Sequence, residues 1–103
     1  MSSLSEIYFN YNKAMEQASQ LDDIAKRLNN AASQDVERIL NDVNSAWKSD
    51  SASAYIQKGQ KVEADMSTTV SNIQNIAGTI RTIAKRVLEA ELEAWRIANE
   101  RTN

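Results

Sequence analysis

No proline occurs in the 103 residues, and the two glycines, Gly59 and Gly78, stand well apart. Such a chain has few places to turn. Its apolar residues instead recur at helical steps. Ile7, Tyr11, Ala14, Ala18, Leu21, Ala25, Leu28, Ala32, Val36, Ile39, Val43 and Ala46 are spaced by three and four, which puts one stripe on one face of a helix. Gly59, Val62, Met66, Thr69, Ile73, Ile76, Ile80, Ile83, Val87, Ala90, Ala94 and Ile97 alternate the same steps as a heptad seam.

Between the two series lies Ser45-Ala46-Trp47-Lys48-Ser49-Asp50-Ser51, where the periodicity stops and restarts. The pattern predicts an all-α fold, one antiparallel two-helix hairpin over residues 1–103. Helix one covers about 4–45, the bend about 46–51 and helix two about 52–99. Ser3 or Ser5 can cap helix one, Glu6 completing a capping box with Ser3, and Ser49 or Ser51 can cap helix two. Asn29-Asn30 and Ser33-Gln34-Asp35 hold the poorest helix formers of helix one and mark where it bends or frays.

Leu21, Leu28 and Ile39 on helix one, with Ile73, Ile76, Ile80 and Ile83 on helix two, are the predicted seam residues. Small residues on helix one facing a row of isoleucines let two helices approach and interdigitate. Further apolar residues flank the seams, among them Tyr8, Met15, Ile24, Leu40, Ile56, Val70, Leu88, Leu92 and Trp95. A lone hairpin leaves those flanks wet, so a second hairpin completing an elongated four-helix bundle is expected.

The charge is spread evenly. Residues 1–46 carry 7 acidic and 4 basic groups, 47–84 carry 3 and 4, and 85–103 carry 4 and 4. No basic stripe exists of the kind that neutralises phosphates, which argues against nucleic acid as a partner. Cysteine and histidine are absent, which removes thiolate chemistry and the commonest general base and metal ligand. Glu89, Glu91 and Glu93 are spaced by two and point to different sides of a helix. No phosphate loop or nucleophile elbow occurs. The expectation is a protein that is not an enzyme, with no cofactor, no metal and no small-molecule substrate. The start Met1-Ser2-Ser3-Leu4-Ser5-Glu6 has neither the basic residues nor the apolar run of a cleaved leader.

Two tryptophans stand out. Trp47 at the bend reads either as a ring plugging the open end of the hairpin or as part of a motif. Trp95 shares a stripe with Leu88 and Leu92 and reads either as dimer packing or as an aromatic anchor for a partner. A chain of this length with two long helices and a mid-chain Trp-x-Gly-like bend, here Trp47-Lys48-Ser49, resembles the WXG family of small proteins exported by type VII (ESX) secretion systems. Ser49 replaces the family's usual glycine. Ala54-Tyr55 resembles its small-then-aromatic pattern at the start of helix two.

The resemblance implies a C-terminal export signal. The family's Tyr-x-x-x-acid pattern is displaced here, Trp95 being followed by Asn99 and then Glu100. A looser pattern used by Gram-positive members fits Val87, Glu91, Ala94 and Ala98. With Leu88 and Leu92, these residues are the candidates for recognition by the secretion ATPase. The resemblance also implies a protein that is cytoplasmic before export and then secreted without a cleaved signal peptide. It would act as a virulence-type effector or as the escort of a larger helical effector, paired with itself or with a related hairpin protein. Two alternatives share the pattern: a homodimeric coiled-coil adaptor that stays in the cytoplasm, and a dedicated targeting partner of a type VII toxin.

Overall fold

The computed structural model describes residues 3–47 and 50–102. Every described residue except Ser3 and Trp47 is helical. Helix α1 spans Leu4–Asn30, a π-helical segment follows over Ala31–Val36, α2 spans Glu37–Ala46, and α3 spans Asp50–Thr102. Helix α3 thus begins two residues earlier and ends three residues later than the periodicity predicts. Ser3 caps α1: its hydroxyl accepts the Glu6 amide at 3.2 Å and its carbonyl accepts the Ile7 amide at 3.1 Å. Ser5 and Ser51 lie inside helices. Ser49 falls outside the described residues.

The chain forms two compact units. One, the bend-side unit, is Asp22–Gln74; the other, the terminal unit, combines Met1–Leu21 with Asn75–Asn103.

In the bend-side unit, Leu40 lies against Gly59, Glu37 meets Glu63, and Asp22–Asn29 runs beside Ser67–Gln74. Residue numbers fall along one helix as they rise along the other, so the pair is antiparallel. Its buried residues are Ala25, Ala32, Leu40, Ala52 and Val70. Small side chains dominate that set, and they let the two backbones come close.

The π segment occupies the stretch of weak helix formers, and it changes which residue turns inward. Its i→i+5 hydrogen bonding takes up one residue more per turn than the α-helix does. Counting from Ala32 and Val36, an unbroken α-helix would bring Ile39 to the inner face. With the wider turn inserted, Leu40 is buried and Ile39 is exposed.

In the terminal unit, Ile7, Ala18 and Ala77 are buried. Tyr11, Ala14, Ile80, Ala84 and Leu88 are half-buried. Ala18 and Ala77 have no accessible surface at all, as expected where helices touch through alanine.

Along α3 the buried register differs from the predicted heptad at every second position as far as Ile83, and from Val87 on at every position. There Leu88, Glu91, Trp95 and Ala98 turn partly inward in place of Val87, Ala90, Ala94 and Ile97. Gly59, Met66, Ile73 and Ile80 turn at least partly inward, as the heptad has them. The alternate inward positions are Glu63, Val70, Ala77 and Ala84, each one residue beyond Val62, Thr69, Ile76 and Ile83. Each displacement is a rotation of about 100°, and it affects two thirds of the predicted stripe. The exposed Thr69 bonds its hydroxyl to the Asp65 carbonyl at 3.0 Å, a local partner that suits a helix surface.

Candidate functional site

The residues singled out in the sequence fall in separate places, and none of them forms a closed cleft. Trp47 caps the end of α2 with an extended backbone, φ −120° and ψ 120°, while its amide donates to the Val43 carbonyl at 2.8 Å. The helix therefore stops through a residue that needs no positive φ. The residue is 60% exposed, so it does not plug the open end of the helix pair.

The C-terminal turns of α3 lie in the terminal unit. Leu88, Glu91, Leu92, Trp95 and Ala98 are half-buried, whereas Val87, Ala94, Asn99 and Glu100 are exposed. The strip of Leu88, Leu92 and Trp95 is thus turned partly inward together with Glu91, while Asn99 and Glu100 face out. Asn99 donates its side-chain amide to the Trp95 carbonyl at 2.9 Å.

Arg96 forks between two acids. Its Nε donates to Glu93 Oε2 at 3.0 Å, its Nη2 to Glu93 Oε1, and its Nη1 to Glu100 Oε1 at 2.6 Å. This bidentate contact holds the Glu93 carboxyl below the usual carboxylate range and raises the guanidinium. The Glu100 charge is already engaged within the helix, so a partner reading it competes with Arg96.

Among the predicted seam residues, Leu21, Leu28, Ile73 and Ile80 are half-buried, while Ile39, Ile76 and Ile83 are exposed. In the terminal unit Ile76 and Ile83 are each 53% exposed, with Val87 and Ile97 continuing the same side of α3. Ile83 and Val87 also border an open groove of about 230 Å³, whose other wall includes Ile7, Tyr11 and Ala14. The bend-side unit has its own groove of about 340 Å³ between Val36, Ile39 and Leu40 on one helical run and Tyr55, Gly59 and Val62 on α3.

Two features escape a reading by apolar periodicity. Phe9 is 66% exposed beside the exposed Tyr8, and neither spacing nor charge marks it. Glu63 occupies an inward position of α3, where its carboxyl meets that of Glu37 on α2 and its Oε1 is buried with no hydrogen-bond partner. The hydrogen bond from Glu37, followed by desolvation, raises the Glu63 pKa. Its spacing, four residues after Gly59 and three before Met66, is the signal that could have found it.

Among the described residues, no group of three or more Asp, Glu, His or Cys side chains is placed to hold a metal ion, and no helix is long and apolar enough to cross a membrane. Compared with known proteins, the chain matches no family model, no curated protein and no solved structure.

Proposed function

We propose that this chain is a small, non-enzymatic helical protein of the WXG type, exported by a type VII secretion system as a substrate or as escort of a larger helical effector. The observation that carries the reading is Trp47: an exposed tryptophan in an extended conformation at the end of one long helical run, three residues before the next begins. The antiparallel helix pair on either side of it supports the same architecture. Binding, with no chemical step, is then the activity.

The proposed unit of export is a dimer forming a four-helix bundle. Support comes from the large apolar residues that the terminal unit leaves in water, Ile76, Ile83, Val87 and Ile97, which follow steps of seven, four and ten along one side of α3. A second copy offers the same side chains, and isologous pairing covers both sets at once. The secretion ATPase is the further partner, reading the C-terminal turns around Leu88, Leu92 and Trp95 by helix-in-groove recognition.

The test is fractionation of the producing cell, in wild type and in a strain lacking the secretion ATPase. Intact protein should appear in the medium only when the ATPase is present, and Trp95→Ala should keep the protein inside while leaving helicity and dimer unchanged. Retention of the wild-type protein in both strains overturns the secretion reading in favour of a cytoplasmic homodimeric adaptor, which would use the same apolar surface. Normal secretion of the Trp95 variant removes the C-terminal turns from the recognition step.

A further inference from the structure

The Glu37–Glu63 contact brings two groups of like charge together across the helix pair of the bend-side unit. It lies one turn from the closest approach of the two helices, where the Leu40 side chain presses on Gly59. Glu37 is exposed, whereas Glu63 occupies an inward position of α3. Glu63 Oε1 is buried and has no partner. An ionised carboxylate has only acceptors, so two ionised glutamates in this position repel and leave that oxygen without a donor. One proton changes the chemistry: a carboxylic acid donates to a carboxylate, and the like-charge contact becomes a hydrogen bond.

Among the described residues, neither carboxyl makes a salt bridge. Arg38, next to Glu37, is engaged with Asp35 at 3.8 Å, and both are largely exposed. On α3, Lys58 lines the groove around Gly59 and Val62, and Lys61 and Asp65, two residues to either side of Glu63, point to other faces of the helix. From α1, Asp22 and Lys26 line a separate groove with Ser67, Val70 and Gln74. Glu37 is the titratable group that acts on Glu63.

We propose that Glu37 and Glu63 form a proton-operated latch between α2 and α3, which ties the helix pair together when one proton is shared and loosens it when both carboxylates are ionised. The sign follows from linkage. The Glu63 pKa is raised above its unfolded value by the hydrogen bond from Glu37. Its contribution to stability is therefore fully present below the ordinary glutamate range near ~4.3 and is lost as pH rises through the folded value. Acid tightens this unit, opposite to the usual behaviour of salt-bridged carboxylates.

The experiment compares thermal midpoints of the full-length protein with those of Glu63→Gln and Glu37→Gln across pH 4–8 at one protein concentration. Subtracting the wild-type curve cancels the other acidic groups. Each variant is expected to melt a few degrees above wild type at pH 7.5, with the difference shrinking toward zero by pH 4. A difference that does not change with pH, or variants less stable than wild type at pH 7.5, overturns the latch. Carboxyl-carbon NMR titration of the wild-type protein supplies a second readout that needs no substitution. Glu63 should titrate above the ordinary range, and a Glu63 titration within the ordinary range overturns the proposal.

Discussion

The bend-side and terminal units are built from the same two helical runs and both meet through small residues, yet they place different residues on the outer side of α3. The bend-side unit places glycine and alanine where its helices meet, at Ala25, Ala32, Ala52 and Gly59, and closes over Leu40. The terminal unit also meets through alanine, at Ala18 and Ala77, but the outer side of α3 there carries Ile76, Ile83, Val87 and Ile97, where the bend-side unit has Tyr55, Val62 and Thr69. Small residues bring helices together within a chain; large residues left outside need another surface. On this comparison the terminal unit offers the more continuous aliphatic surface on α3, and it is there that a second copy is proposed to pack.

The strongest way to break that contrast is to make the outer side of the terminal unit polar. Ile76→Glu with Ile83→Glu should abolish dimerisation while preserving the helical circular dichroism. Covering the exposed half of four isoleucine side chains in a dimer contributes about 3–6 kcal/mol, roughly a hundred-fold to ten-thousand-fold in affinity, before the cost of burying a glutamate is added. Sedimentation at micromolar concentration reads the outcome directly. A wild-type protein that is already monomeric would mean that these isoleucines are simply solvent-exposed, and the contrast between the units would lose its functional meaning.

The next effect is internal to the bend-side unit. A Cβ added at Gly59 would lie about 3.1 Å from Leu40 Cγ and Cδ1 and closer still to Cδ2. Gly59→Ala gains helix propensity of about 0.5–1 kcal/mol, but it forces Leu40 out of its buried position, an overpacking cost of about 1–3 kcal/mol. The net expectation is a loss of about 1–2 kcal/mol in a denaturant titration. A variant as stable as wild type would show that Leu40 moves aside easily and that the close approach is not maintained by the glycine.

Much of this arrangement is legible in the sequence because helix periodicity depends on local spacing. The absence of proline and the steps of three and four predict both helical runs, and Ser3 before Glu6 predicts the start of α1. What periodicity leaves ambiguous is phase. Along α3 a step of three from Gly59 reaches Val62 and a step of four reaches Glu63, and both series continue as heptads. Hydropathy favours Val62, Ile76 and Ile83. Packing favours Ala77 and Ala84, because branched side chains on both sides would hold the backbones apart. The phase after Val36 was hidden for a different reason: a π turn is a backbone event, and the Ser33-Gln34-Asp35 stretch signals weakness without saying whether the helix fraying, bending or widening resolves it. The Glu37–Glu63 contact inherits both ambiguities, since it needs the phase of both runs at once.

The smallest effect sharpens the comparison from the other side. Gly78 lies in the terminal unit, and a Cβ built there would meet nothing within 4 Å. It is two residues from Ile76, about 200° around the helix, so a substitution reports on the helix and leaves the isoleucine side alone. Its carbonyl accepts the Thr82 hydroxyl at 3.1 Å, a bond that a methyl group on Cα does not disturb. Gly78→Ala should therefore stabilise the protein by about 0.5–1 kcal/mol through reduced entropy of the unfolded chain and better helix propensity, a rise of about 2–8 °C in midpoint for a domain of this size. The same exchange made in one helix thus lowers stability at Gly59 and raises it at Gly78. Equal signs at the two sites would mean that the tight contact assigned to the bend-side unit is not a property of that unit.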